Sequence, residues 1–247
     1  AFTRMRILRG FLSAATKSLV PPKRGASTAK ITNTTRTVTS HFNMIELYTW
    51  STPNGRKVSI MLEDCALPYN VHKINIGTNT EQFTPEYLKI NPNGKIPSIV
   101  DPDGPGGKPI AMMESGAILI YLADKTGKFF PQKTKYPILQ WLMFQMGGVG
   151  PMFGQAHHFM RARKDEIPYG SERYGNEAKR LYGVMDKRLF QRDYFAGEYS
   201  IADIAIYPWV ARHEWHRVDL TAFPNVKRWY AAVGARPAVA RGMAVPA

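Results

Sequence analysis

Two periods of hydrophobic and polar residues run along this chain, and the change from one to the other divides it. Alternating or short apolar runs at 45–50, 69–76, 98–100 and 109–112 predict β-strands. Apolar residues at helical spacing follow the first, second and fourth of these runs, and predict helices at 58–65, 84–88 and 117–125. The predicted order over residues 44–126 is therefore β-α-β-α-β-β-α.

No convincing strand pattern appears beyond residue 126. Helical periodicity covers 136–146, resumes after an interruption at 147–151, and returns at 171–191, 204–215 and 226–233. Ser200 followed by Asp203 is typical of a capping box, and Pro237 marks the expected end of the last helix. We expect an α/β domain at 44–126 followed by an all-helical domain at 127–247.

Residues 1–43 are rich in Arg, Ser and Thr and contain no Asp or Glu. This composition is typical of a mitochondrial transit peptide. A disordered tail, or residues upstream of a true start at Met44, fits the same composition. We therefore expect a basic leader that is either disordered or a transit peptide, and a cytoplasmic or mitochondrial location.

The net charge of +14 is largely a property of that leader. Eight of the 33 basic residues lie there, which leaves 25 basic against 19 acidic residues, a net charge of +6, on residues 44–247. This excess suits a small anionic ligand and argues only weakly for nucleic acid. Because the apolar runs are short and broken, no transmembrane helix is expected. We expect neither a nucleic-acid nor a membrane partner.

Two short motifs in the α/β part predict a binding site. Pro97 precedes the strand at 98–100, and a cis Ile96–Pro97 bond would leave the N–H and C=O of Ile96 free for an extended peptide. Glu114-Ser115 stands at a helix start, where a hydroxyl and free backbone N–H groups suit a carboxylate. A strand edge beside a carboxylate site indicates a small acidic peptide as ligand.

The element order and these motifs together resemble the cytosolic type of glutathione transferase, over residues 44 to about 243. Within that family the chain looks most like the Nu class, sometimes described as disulfide-bond oxidoreductases. The residues that carry the resemblance are Thr52-Pro53-Asn54-Gly55, Asn91-Pro92-Asn93-Gly94-Lys95-Ile96-Pro97, Glu114-Ser115-Gly116, Gln140-Trp141, Gly150-Pro151, Gly154-Gln155, Glu172-Arg173-Tyr174, Tyr199-Ser200-Ile201-Ala202-Asp203 and Arg236-Pro237-Ala238. The resemblance implies a thioredoxin-like N-terminal domain with a mixed four-stranded sheet, a helical C-terminal domain with the substrate cleft and dimer contacts, and a homodimer.

The resemblance also implies how glutathione binds as the co-substrate. Ser115 and the helix N–H groups take the γ-glutamyl carboxylate, and Glu114 accepts from the ammonium. Ile96, ahead of Pro97, pairs its backbone with the cysteinyl residue, and Lys95 meets the glycyl carboxylate. Taken singly, each of these residues is more often part of a turn or a cap; the site is predicted from their combination in this order.

Thr52 and Asn54 are the candidates for activating the glutathione thiol, because they lie in the turn before the first predicted helix. Lowering a thiol pKa from about 8.5 by about two units requires roughly 2.7 kcal/mol. A hydrogen bond to a charged group contributes about 1.5–3 kcal/mol and a helix start about 0.3–1 kcal/mol. The alternative is that Thr52 only caps the helix and Asn54 only fits the turn.

The remaining candidates are less specific. Gln82 is a further glutathione contact by resemblance, and Arg173 either reaches an acidic ligand or lies on a solvated helix face. Four residues of the helical domain are expected to line the substrate cleft, although the aromatic ones also suit a core: Trp141, Phe153, Gln155 and His158.

The cysteine content decides which reaction is predicted. Cys65 is the one cysteine of the chain and falls on the apolar stripe of the first helix, so it is expected to pack. The resemblance suggests that bound glutathione, up to two molecules per subunit, supplies the thiols without a metal. We predict reduction of small-molecule or peptide disulfides. The alternatives are a glutathione S-transferase or thioether lyase for small electrophiles, and a non-catalytic regulatory member of the family.

Overall fold

The computed structural model describes residues 44–163 and 165–247, so the predicted leader lies outside the described residues. Four strands form in the first part of the chain: β1 Ile45–Thr49, β2 Tyr69–Lys73, β3 Ser98–Asp101 and β4 Ile110–Met113. Three α-helices are interleaved with them: α1 Pro53–Cys65, α2 Pro85–Ile90 and α3 Ser115–Thr126. Six α-helices follow in the described part of the chain: α4 Lys135–Phe144, α5 Gly150–His157, α6 Pro168–Leu189, α7 Ile201–Val210, α8 Pro224–Gly234 and α9 Pro237–Met243.

The four strands form one mixed sheet in the order β2-β1-β3-β4. Strand β1 pairs in parallel with β2 and antiparallel with β3, which pairs antiparallel with β4. The register places Leu47 opposite Ile99, and both side chains are fully buried. Alternation along each strand puts these residues on the face that the helices cover. The predicted fold class, a mixed four-stranded sheet with helices followed by an all-helical part, is confirmed.

Helix α1 begins at the turn that the sequence predicts. Thr52 is in the extended conformation that an N-cap requires, and its Oγ1 accepts a hydrogen bond from the Gly55 N–H at 3.1 Å. Pro53 occupies the first helical position, where its missing N–H is not needed. This cap fixes the position of Thr52 relative to the sheet edge.

Helix α7 is the centre of the helical part, and every one of its residues is buried. Ser200 and Asp203 form the predicted capping box. The Asp203 carboxylate also accepts hydrogen bonds from the indole N–H of Trp229 at 2.9 Å and the backbone N–H of Phe195 at 3.2 Å. Burial raises the pKa of Asp203 to about 6, against the lowering effect of these bonds. The box therefore ties the start of α7 to α8.

The helical part departs from the prediction most clearly in two places. The helix expected to break at 147–151 continues, because a π-helical segment, Gln145–Val149, joins α4 to α5, and a second one, His158–Ala162, follows α5. Pro151 lies in the first turn of α5, where a missing N–H is tolerated. Helix α7 ends at Val210, earlier than predicted, and a short 3₁₀ segment, His213–His216, follows it.

Helix α9 is absent from the prediction because Pro237 was interpreted as a helix end, whereas it begins a helix. Helix α9 packs directly on the backbone of α1. A methyl group placed on Gly242 would lie 2.4 Å from Cα and 2.5 Å from N of Ile60. The Ser59 hydroxyl donates a hydrogen bond to the Gly242 carbonyl at 2.7 Å. Helix α9, near the end of the described chain, therefore packs against α1 and holds it in place.

Helix α3 ends at Thr126, and Gly127 caps it in the left-handed conformation with φ of 68°. One cluster of buried apolar side chains extends from Ile45 in β1 to Val239 in α9, so the two parts share a core. The domain boundary predicted between residues 126 and 127 stays a prediction. Among the described residues, no helix has both the length and the apolar character that crossing a membrane requires.

Replacing Gly242 with Ala should lower the free energy of unfolding by about 1–3 kcal/mol, because α9 must move away from the α1 backbone. Urea unfolding followed by circular dichroism measures the change. Gly183→Ala is the matched control: its position in α6 has open space around it, so the substitution should stabilise the protein by up to about 1 kcal/mol. A Gly242→Ala protein as stable as wild type would contradict the close packing of α9 on α1.

Candidate functional site

A cavity of about 450 Å³ lies between the start of α1, the loop before β3 and the end of α7. We call it the first cavity. Residues from these three places and from the segment between β2 and α2 line it: Thr52, Pro53, Asn54, Ile76, Gln82, Phe83, Gly94, Lys95, Ile96, Trp209 and Arg212. A smaller cavity of about 70 Å³ continues from it, lined by Asn54, Asn91, Lys95, Ile96, Pro97, Glu114, Ser115 and Met146. Since Asn54, Lys95 and Ile96 line both, the two cavities form one continuous site.

The loop before β3 presents an unpaired backbone to this site. The Ile96–Pro97 bond is cis. Two hydrogen bonds of 2.6 Å, from the Tyr87 hydroxyl and the Asn91 side-chain amide, hold the Lys95 carbonyl and so fix the loop. Within the described residues the backbone N–H and C=O of Ile96 have no hydrogen-bond partner. An extended peptide can therefore pair with Ile96.

The start of α3 forms the floor of the smaller cavity. Glu114 precedes the helix with a φ of 67°, a left-handed conformation that costs energy for a residue other than glycine. Ser115 is the first helical residue and is only 4% exposed. The Ser115 hydroxyl and the free N–H groups of the helix start are the groups that a bound carboxylate requires.

Lys57 lies directly behind Ser115 and was not singled out from the sequence. It is 1% exposed, and its Nζ donates to the Ser115 hydroxyl at 3.2 Å and to Gln145 Oε1 at 2.5 Å. Burial lowers the pKa of Lys57 to about 7, and the Glu114 charge opposes this shift. The sequence signal was a lysine within the apolar face of α1, beside Val58. Such a buried cation favours an anion at Ser115.

Thr52 and Asn54 face the first cavity with donor groups available. The Thr52 hydroxyl uses one lone pair to accept from Gly55, and within the described residues its own proton has no acceptor. Asn54 Oδ1 accepts from the indole N–H of Trp209 at 3.1 Å, which turns the Asn54 NH₂ group away from that bond. Capping the helix and donating into the cavity are therefore compatible roles for Thr52.

Gln82 contributes an unpaired polar atom to the same cavity. The residue is 8% exposed, and its Oε1 is buried without a hydrogen-bond partner in the described part of the chain. A buried amide oxygen without a partner is costly, so a ligand donor at this point would be favoured. Lys95, by contrast, is exposed at the mouth of both cavities.

The structure does not bring all predicted cleft residues to the site. Phe153 is fully buried, stacked on Tyr182 with ring centroids 4.9 Å apart, so its prediction as a cleft residue is wrong. It faces inward because this side of α5 packs on α6. Trp141 packs edge-on against Phe144 and lines neither part of the site.

The other two predicted cleft residues, Gln155 and His158, and the predicted ligand contact Arg173 lie on the surface. Gln155 is exposed on α5. Arg173 lines a separate cavity on α6, together with Glu177 and Arg180. His158 lines a cavity of about 450 Å³ that we call the second cavity. Arg212 lines both the first and the second cavity, so the two are neighbours.

The sequence analysis missed Trp209 and Arg212. Trp209 lies in the last turn of α7 and Arg212 just after the helix, and the Arg212 guanidinium donates to the Ser51 carbonyl at 2.9 Å. Burial and the nearby charges of Arg56 and Arg161 lower the pKa of Arg212 to about 10. The signal for Trp209 was weak because α7 is apolar on every side, so its pattern does not show which face meets a ligand.

Cys65 takes no part in the site. It is 6% exposed at the far end of α1, about 18 Å from the start of that helix at a rise of about 1.5 Å per residue. Burial raises the pKa of its thiol. An attacking sulfur at this site must come from a ligand. Within the described residues, no three His, Cys, Asp or Glu side chains converge as metal ligands.

Two family models match the chain. The glutathione S-transferase N-terminal domain matches residues 52–125, and the glutathione S-transferase C-terminal domain matches residues 152–237. The chain is also 48% identical over 204 residues to the disulfide-bond oxidoreductase YfcG of Escherichia coli strain K12, and the match covers 81% of this chain and 94% of that protein.

Solved structures agree with these matches. A glutathione transferase from Pseudomonas putida, crystallised with one glutathione disulfide per subunit, has a TM-score of 0.79 and 47% identity, and the match covers 84% of this chain and 94% of that one. A glutathione transferase from Burkholderia graminis, crystallised with two glutathione molecules per subunit, has a TM-score of 0.78 and 49% identity, with 84% and 90% covered. With both domain models matched and these relatives aligned over most of their length, the chain belongs to the glutathione S-transferase family.

Proposed function

We propose that this chain is a glutathione-dependent disulfide-bond reductase that acts as a homodimer of the Nu-class type. The observation that carries the proposal is that the Thr52 hydroxyl and the Asn54 amide line the same cavity as the unpaired backbone of Ile96. The disulfide-bond oxidoreductase name of the E. coli relative and the glutathione ligands of the two solved structures support it.

Glutathione fits the site as an extended acidic peptide. Its γ-glutamyl carboxylate lies on Ser115 and the α3 start, with Glu114 accepting from the ammonium. Its cysteinyl residue pairs with the Ile96 backbone. Lys95 and Gln82 complete the contacts at the cavity mouth and wall. This pose places the sulfur near the start of α1.

The reaction needs two thiols because the protein supplies none. A glutathione thiolate attacks one sulfur of the substrate disulfide, forms a mixed disulfide and releases the first substrate thiolate. A second glutathione thiolate attacks the glutathione sulfur of that mixed disulfide and releases the other. Glutathione is oxidised to its disulfide, the substrate gains two electrons, and the two protons lost by the glutathione thiols go to the product thiolates. Cys65 is too deeply buried to take either step.

Thr52 and Asn54 stabilise the attacking thiolate in this proposal. A free thiol is only a few per cent ionised at neutral pH. The Thr52 proton, the Asn54 amide and the positive end of α1 all favour the anion. Trp209 matters here because its bond to Asn54 Oδ1 leaves the NH₂ group of Asn54 to donate.

Replacing Thr52 with Ala should slow disulfide reduction by about one to two powers of ten, since one charge-assisted hydrogen bond is lost. Steady-state rates with hydroxyethyl disulfide and saturating glutathione measure this. In Thr52→Ala, the ultraviolet absorbance of the bound glutathione thiolate should appear at a higher pH than in wild type, because the thiolate has lost a hydrogen-bond donor. Thr52→Ser keeps both the cap and the donor and is the matched control.

The cap contributes to stability, so thermal unfolding of both variants must be recorded alongside the rates. If Thr52→Ala remains folded and turns over disulfide as fast as Thr52→Ser, Thr52 has no part in the mechanism.

Binding of a γ-glutamyl carboxylate at Ser115 should be accompanied by proton uptake at Lys57. With its pKa lowered to about 7, Lys57 is mostly neutral at about pH 8, and a carboxylate nearby raises the pKa again. The one charged group that raises this pKa in the free protein is Glu114, while Gln145 and Met146 are neutral. Uptake should vanish below about pH 6, where Lys57 is already protonated.

Calorimetry in buffers of different ionisation enthalpy measures the protons exchanged. S-methylglutathione is the suitable ligand because it has no thiol to ionise. Lys57→Met removes the titrating group, and circular dichroism checks that it folds. Equal proton uptake by wild type and Lys57→Met at about pH 8 would exclude Lys57 as the linked group.

A further inference from the structure

The second cavity lies beside the first and has no role in the glutathione pose. Its volume is about 450 Å³, and His157, His158, Arg161, Arg212 and Trp215 are among the residues that line it. Arg212 lines both cavities, so a molecule long enough to extend past Arg212 can contact the walls of both.

This region carries uncompensated positive charge. Among the described residues, no carboxylate lies within ion-pairing distance of Arg56, Arg161 or Arg212. Nearby arginines differ: Arg163 pairs with Glu166 and Arg217 pairs with Asp165. Of the three, Arg161 and Arg212 line the second cavity, and unpaired guanidinium groups that face a cavity attract an anion from solution.

Trp215 holds two of these arginines in place. The guanidinium carbons of Arg161 and Arg212 lie 3.7 Å and 4.2 Å from its ring centroid. Stacking on an aromatic ring fixes a guanidinium while leaving its N–H groups free to bind a carboxylate. Arg212 uses one nitrogen on the Ser51 carbonyl and keeps the others. The two guanidinium groups are thus oriented in advance.

His157 adds no charge of its own to this cavity. Burial, together with Arg212 and Arg161, lowers the pKa of His157 to about 4, so it is neutral at physiological pH. Its ring stacks on Trp209, with centroids 5.7 Å apart, and so joins the wall of the second cavity to that of the first. His158 is exposed at the rim.

We propose that the second cavity binds a carboxylate of the acceptor disulfide through Arg161 and Arg212, so that the enzyme prefers acidic disulfides. This inference rests on the proposed function and names its substrate class. The acceptor sulfur lies in the first cavity near Thr52 and its acidic end in the second. The chemistry is the same two-step exchange, with no further reactant.

The test compares three acceptors at saturating glutathione: dithiodipropionate with two negative charges, neutral hydroxyethyl disulfide, and cystamine with two positive charges. We expect kcat/KM to fall in that order. Arg161→Gln should lower kcat/KM for dithiodipropionate by about 10- to 50-fold, mainly through KM, and change that for hydroxyethyl disulfide by less than about threefold. Added salt should weaken the preference of wild type.

Arg163→Gln is the matched control, because it removes an exposed arginine two positions away whose partner is Glu166. The ratio of kcat/KM for dithiodipropionate to kcat/KM for hydroxyethyl disulfide should be the same in Arg163→Gln as in wild type. The glutathione KM is recorded for every variant, since a second glutathione molecule also carries carboxylates.

Each outcome bears on the proposal. If Arg161→Gln raises the KM of glutathione rather than that of dithiodipropionate, the cavity serves glutathione and the inference is wrong. If wild type reduces all three disulfides with equal kcat/KM, the inference is wrong while the reductase assignment stands. If wild type reduces none of them, both are overturned.

Discussion

The site depends on one buried amine. Lys57 Nζ reaches Ser115 at the start of α3 and Gln145 at the junction of α4 and α5, so it joins three helices from both parts of the chain. A buried ammonium is costly unless it is paired, and here the surrounding groups are neutral apart from Glu114. The fold therefore places an amine that favours negative charge directly behind the start of α3, where the proposed pose puts a carboxylate.

Because the start of α1 carries no cysteine, the reacting sulfur in the proposed function belongs to glutathione and must be positioned by non-covalent contacts. The thiol of a protein cysteine is positioned by the backbone to which it is attached. The thiol of a bound glutathione is positioned only by the contacts that the protein makes with the rest of the glutathione molecule. In the proposed pose the contacts to glutathione are accordingly spread along the chain, from Ser115 at one end of the site through the Ile96 backbone to Thr52 and Asn54. In this proposal, contacts that orient the glutathione molecule take the place of a covalent bond to the protein, and most of these contacts come from backbone groups and helix ends.

The sequence predicted residues that line the cavities where local chemistry marks them. Pro97, Glu114-Ser115 and Thr52 each stand at a turn or a helix start, and such positions are marked by residue type. It failed where the fold decides which side of a helix meets the interior. Phe153 and Trp209 both lie on largely apolar helices, yet one is in the core and the other in the cavity wall. Helix α9 was missed because proline marks both helix ends and helix starts.

The end of α7 links the two parts of the site. Trp209 orients Asn54 from one side, and Arg212 bonds to the carbonyl of Ser51, just before Thr52. In the proposed function the α/β part supplies the contacts to glutathione, and the helical part supplies the wall that the acceptor disulfide meets. Trp209 bonds to Asn54 and also forms part of the wall of the first cavity. A substitution at Trp209 would therefore disturb the proposed glutathione site, whichever acceptor is used. Arg161 stacks on Trp215 and lines the second cavity, and among the described residues it is not part of the wall of the first cavity. Acceptor preference can therefore change at Arg161 without disturbing the groups that hold the glutathione sulfur.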